Sequence, residues 1–123
     1  SIRDPNTILN TLRIGHEKGP IVGFAKGGPL EDYKLRTEIT DKNYGMFNTM
    51  FLEPLALKTG YWGQKGGHEM RLLFTIQAEA KGYKFLTSFA LRDVIQKRIE
   101  RNEGVVFVKQ FDPERWDYYR IKL

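Results

Sequence analysis

A chain of 123 residues without cysteine, 41% hydrophobic and 28% charged, is long enough to bury one core without staples, and it excludes disulfides, thiolate zinc sites and cysteine nucleophiles. Lys and Arg number 20 against 15 Asp and Glu, giving +5; residues 62–123 carry 12 basic and 8 acidic side chains, residues 1–61 carry 8 and 7, so an anionic partner is expected on the second half. No apolar run approaches the roughly 20 residues of a membrane helix, and SIRDPNTIL lacks the layout of a signal peptide, so an intracellular protein with no membrane partner is expected.

Opening at Ser1 fits a processed chain or an excised domain. No repeat, low-complexity tract or Pro/Ser-rich linker divides residues 1–123, which read as a single domain. Asp4-Pro5 supplies a helix cap and a first-turn proline, Ile8, Leu9 and Leu12 form a stripe, and Gly15 is a stop, which predicts a short helix over about 5–13. From Ile21 to Phe85, short apolar or alternating runs between turn formers predict strands in IVGFA, YKLRTEI, MFNTMFLE and PLALKTGYW. The run MRLLFTIQ alternates Met70, Leu72, Phe74 and Ile76 and reads as a further strand, with AEAKG turning into YKFLTS.

Leu91, Val94, Ile95 and Ile99 fall on one face of a main amphipathic helix over about 89–102, with Ser88 as its cap and Gly104 as its end. VVFVKQF, DPER and WDYYRIKL then predict a closing β-hairpin. The expected class is α+β, an antiparallel sheet of several short strands with helix packed on one face.

In that hairpin the period of two places Val106, Val108, Tyr119, Ile121 and Leu123 on one face and Phe107, Lys109, Phe111, Trp116, Tyr118 and Arg120 on the other. Aromatic rings interleaved with cations suit single-stranded nucleic acid, whose bases stack and whose phosphates attract Lys and Arg. If Lys109 and Arg120 were buried instead, they would require acidic partners. Tyr33 to Arg36, Tyr61-Trp62 with Lys65, and Tyr83-Lys84-Phe85 repeat the pairing. The expectation is a non-catalytic binder of single-stranded DNA or RNA, contacting it through Trp62, Lys65, Lys84, Phe107, Lys109, Trp116, Tyr118, Arg120 and Lys122. No cofactor or metal is expected.

Two alternatives follow from the same residues. The aromatic strands would equally suit a protein interface in a structural or assembly protein, and exposed strand edges favour a homo-oligomer. Glu79-Ala80-Lys81 after a strand would suit a metal-dependent nuclease, with Glu53 as the acidic partner. Four glycines in TGYWGQKGGHEMR, Gly60, Gly63, Gly66 and Gly67, lack the spacing of a Walker loop or dinucleotide fingerprint and suit a mobile hairpin connection. His16 and His68 each stand in Gly-His-Glu without metal-site spacing, and no nucleophile-elbow motif occurs.

Overall fold

The computed structural model describes residues 6–13, 18–57 and 66–123. It is α+β, as expected. Strands β1 (Ile8–Arg13), β2 (Ile21–Pro29), β3 (Thr49–Leu52), β4 (Ala56–Leu57), β5 (Phe85–Leu91), β6 (Val105–Lys109) and β7 (Trp116–Lys122) form one sheet, with helices α1 (Gly66–Ala80) and α2 (Arg92–Glu100). The strand order is β1-β2-β3-β5-β7-β6, and β4 also pairs with β2. The sheet is mixed, because β3 and β5 run parallel while the other pairs are antiparallel. A parallel pair requires a crossover, which α1 supplies.

Four predicted elements depart from expectation. The run MRLLFTIQ is helical: Met70, Phe74 and Ala78 are buried at four-residue spacing, whereas Ile76 is 62% exposed. A short apolar run fits either period, and here the helix formers of QAEA prolong it to 15 residues, beyond ordinary strand length. Residues 8–13, expected in a helix, form β1 along β2; Ile8, Asn10 and Leu12 turn toward α1 while Leu9, Thr11 and Arg13 face outward. The main helix begins at Arg92, because Phe85 to Leu91 are held by backbone pairing with β7, and Phe85 to Ser88 with β3 as well. Ser88 is therefore no cap; its hydroxyl donates to the carbonyl of Leu52 at 2.5 Å. YKLRTEI lies outside any strand and belongs to a segment covering the sheet.

Both helices pack on one face, over a core that includes Met50, Leu52, Leu86, Tyr119 and Ile121. Gly27 sits where a Cβ would fall 2.2 Å from the carbonyl oxygen of Phe51 and 2.5 Å from the Phe74 ring, so its missing side chain is what lets α1 seat there. On the opposite face residues 30–41, opening with a 3-10 turn at Leu30–Asp32, cover a second core of Leu30, Phe51, Phe111 and Tyr118.

The hairpin β6–β7 pairs as expected, with a bulge between Val105 and Phe107. The bulge puts Val105 in place of Val106 against the helical core and leaves Val106 55% exposed. Among the described residues no helix is long and apolar enough to cross a membrane.

At the start of β7 the Asp117 carboxylate, wholly buried, accepts Arg92 Nε at 2.8 Å, Arg92 Nη2 at 3.2 Å and the Phe111 amide at 2.9 Å. Burial alone would push its pKa up, but the Arg92 and Phe111 hydrogen bonds outweigh it and hold the group below the ordinary carboxylate value. A depressed folded pKa contributes stability that is complete above the unfolded value and is lost as pH falls through the folded one. The stability advantage of the native chain over Asp117→Asn, measured by urea unfolding, should therefore be flat from pH 7 to pH 5 and shrink below about pH 4.

Candidate functional site

Among the described residues the sheet opens between the chain that follows β3 and the end of β5. β3 and β5 pair from Thr49↔Phe85 to Leu52↔Ser88 and no further. Past that point the first chain stays with β2, through the Glu53 amide on the Lys26 carbonyl at 2.9 Å and β4 opposite Gly23 and Phe24. β5 stays with β7 instead, as far as Leu91↔Trp116. One chain follows β2 and the other follows β7, so a crevice opens between them at the carboxyl ends of two parallel strands. This is the position at which open α/β sheets take ligands.

Glu53 stands on one wall, half-buried, its Oε2 accepting the Tyr33 hydroxyl at 2.7 Å. Burial and this hydrogen bond push the Tyr33 phenol well above its ordinary pKa, so it remains a donor. Tyr33 heads a row of rings that crosses the sheet: 4.5 Å to Phe51, 6.3 Å from Phe51 to Phe89, and 5.1 Å from Phe89 to Tyr118. The row ends in polar anchoring. Asp41 Oδ2 accepts the Tyr118 hydroxyl at 2.5 Å, and Oδ1 accepts Arg120 Nη2 at 2.8 Å and the Asn43 amide at 2.8 Å.

The glycine pair Gly66-Gly67 begins α1. Gly67 is buried, and a Cβ on Gly66 would fall 2.7 Å from Leu12 Cδ2, so the pair lets α1 pack closely on β1; the unpaired N–H groups of the first helical turn are the part suited to phosphate. A separate surface groove of about 390 Å³, lined by Thr7, Asn10, Gln77 and Lys81 among others, lies along the second half of α1, away from the glycine pair. Asn10 and Gln77 pair their amides across it, at 2.8 and 3.3 Å.

The residues expected to bind nucleic acid do not form one platform. Tyr118 is 0% and Arg120 5% exposed, and Arg120 is paired with buried Asp41, the outcome that removes it from a binding face. Its guanidinium also lies 4.9 Å over the ring of Phe107, which is exposed, and Trp116 is half-buried opposite Leu91. Lys109 is exposed near Phe111, whereas Lys84 and Lys122 are exposed at the other end of β5, away from the crevice. Trp62 and Lys65 lie outside the described residues, as do His16 and the predicted helix start at Asp4-Pro5.

The nuclease alternative loses its geometry as well. Glu79 and Lys81 are at the carboxyl end of α1, not at a strand end. Among the described residues no group of three or more histidine or acidic side chains could hold a metal ion.

No family model and no curated protein matches the sequence. Solved structures do resemble the fold. An acetyltransferase from Bacillus cereus is similar with a TM-score of 0.62 at 13% identity, over 95% of this chain and 73% of that one. The PaiA N-acetyltransferase from Thermoplasma acidophilum, solved in complex with coenzyme A, gives 0.59 at 16% identity, over 96% and 62%. The GNAT domain of S. lividans PAT gives 0.61 at 9% identity, over 96% and 61%.

At these identities the likeness is one of fold, and the chain spans less than two thirds of the last two proteins. It overturns the expected non-catalytic nucleic-acid-binding protein and its nucleic-acid partner, together with the assembly and nuclease alternatives, since the neighbours are acetyltransferases. Tyr33 and Glu53 are residues that sequence reasoning placed elsewhere. Tyr33 stood among the basic and aromatic pairs and Glu53 among metal ligands, because nothing in their local pattern marks a pairing across 20 positions.

Proposed function

We propose that the chain transfers an acyl group from acyl-coenzyme A to an amine. The observation that carries this reading is the crevice between β4 and β5. Its walls are strand segments that have left each other, and the amides of a pantetheine arm are suited to hydrogen-bond with such backbone. The N–H groups of the first turn of α1 would receive the pyrophosphate.

Glu53 supplies the chemistry this chain itself must provide. An ammonium cannot attack a carbonyl until it loses a proton, and a carboxylate at the crevice wall is placed to accept it. Tyr33 holds that carboxylate in orientation. Further support comes from the fold neighbours, one of which was solved with coenzyme A bound.

The test is binding followed by turnover. Coenzyme A at a hundredfold excess over its Kd should stabilise the fold by about 2.7 kcal/mol in thermal melts. Acetyl-coenzyme A should release free thiol only when a primary amine is added. Absence of any stabilisation by millimolar coenzyme A would sink the proposal.

A further inference from the structure

Helices α1 and α2 meet along a seam of unbalanced charge. His68, Arg71 and Thr75 face it from α1, at three- and four-residue spacing, and Arg98, Arg101 and Glu103 face it from α2 and the residues after it. Arg98 is 2% exposed and fully engaged, donating to Glu103 Oε1 at 2.7 Å, to the Tyr119 hydroxyl at 2.8 Å and to Thr75 Oγ1 at 3.3 Å. It has taken the only carboxylate of the seam among the described residues.

Among the described residues neither Arg71 nor Arg101 has an ion pair of its own, since Glu103 is held by Arg98 and acts on Arg71 only at longer range. Arg71 is half-buried, and its guanidinium makes no hydrogen bond to a described residue; burial foremost, and Arg98 with it, disfavours its charge, while the nearby Tyr119 and Glu103 partly oppose this. Arg101 is exposed, its Nη1 lying 3.2 Å from Nδ1 of His68. Three guanidiniums share one carboxylate, so an anion arriving from solvent would relieve their repulsion. The Arg71 fork donates to no described residue, and Arg101 engages only Nη1, with His68.

We infer that this seam binds a phosphomonoester, held by Arg71 and Arg101. Arg71 lies four to five residues beyond Gly66-Gly67, about 6–8 Å along the helix, the scale of the separation between phosphorus atoms carried on the 5′ and 3′ oxygens of one ribose. On the acyl-coenzyme A reading, on which this identification rests, the ligand is the 3′-phosphate of coenzyme A. The same chemistry is shared by free phosphate.

The experiment compares coenzyme A, 3′-dephospho-coenzyme A and inorganic phosphate by calorimetry, on the native chain, Arg71→Gln and Arg101→Gln, with thermal melts to verify folding. The native chain should prefer coenzyme A over the dephospho form by roughly tenfold to hundredfold, and either variant should lose most of that preference without weaker binding of the dephospho form. Equal affinity of the native chain for the two cofactors would overturn the 3′-phosphate site and leave the acyl-coenzyme A reading standing. If neither cofactor binds but phosphate binds the native chain and not the variants, the seam is an anion site and the acyl-coenzyme A reading falls. Binding of none of the three overturns both. Should one variant fail to fold, the other still decides, since each removes one fork.

Discussion

Glu53→Gln is expected to lower kcat/KM for acyl transfer roughly 10²- to 10⁴-fold, the usual contribution of a positioned general base. The substitution is close to isosteric, and the amide oxygen can still accept the Tyr33 hydroxyl, so the fold and the affinity for coenzyme A should be unchanged. The loss has a pH signature. An alkyl amine near pKa 10.4 is largely protonated at neutral pH and requires the base, whereas above that value it arrives with its lone pair free. The deficit of the variant should therefore shrink as the assay pH is raised toward 10. A deficit that is the same at pH 7 and pH 10 would mean that Glu53 orients the acceptor and takes no proton. Tyr33→Phe should cost less, because it loosens the carboxylate without removing it.

The second large effect is on stability. Asp41→Ala should destabilise the fold by about 3–5 kcal/mol, because it strands the Arg120 guanidinium in a buried position. Arg120 is 5% exposed and its Nε already lacks a partner, and the Tyr118 hydroxyl and the Asn43 amide lose their acceptor as well. For a chain of this size the melting temperature should fall by roughly 10–20 °C. The double variant Asp41→Leu with Arg120→Met should recover much of this, since replacing both charges by apolar groups removes the stranded ion. A loss below about 1 kcal/mol for Asp41→Ala alone would show that water reaches the pair.

The legible parts of the fold are those whose sequence pattern agrees with their surroundings. In β7 the alternation of Tyr119 and Ile121 against Tyr118 and Arg120 sorts the two faces, and the structure keeps that sorting. What alternation cannot say is what covers each face. The partner of Arg120 is Asp41, 79 positions away, and the segment carrying it has no strand or long helix to announce it. The basic and aromatic face is real as a register and disappears as a surface.

The run MRLLFTIQ shows the opposite case. Eight residues satisfy both periods, and tertiary context decides, since a parallel β3–β5 pair cannot form without a crossover. With that run read as a strand, the crossover vanishes from the topology, and with it the crevice. The site was therefore invisible even though Glu53 and the glycine pair were both noticed. Its defining feature is the departure of two chains from each other, which is a property of neighbours and not of any motif.

Gly27 offers a way to look for relatives. At 9–16% identity to the acetyltransferases compared, alignment by general likeness carries little information. A position at which any Cβ would meet the carbonyl of Phe51 and the ring of Phe74 is different, because it forbids nineteen residue types as long as α1 keeps its seat. Distant sequences that share this helix seat should keep a glycine on the second strand opposite the residue that precedes the glutamate, however far the rest has drifted. That pairing of a glycine with a downstream glutamate is a sharper filter for kinship than overall resemblance.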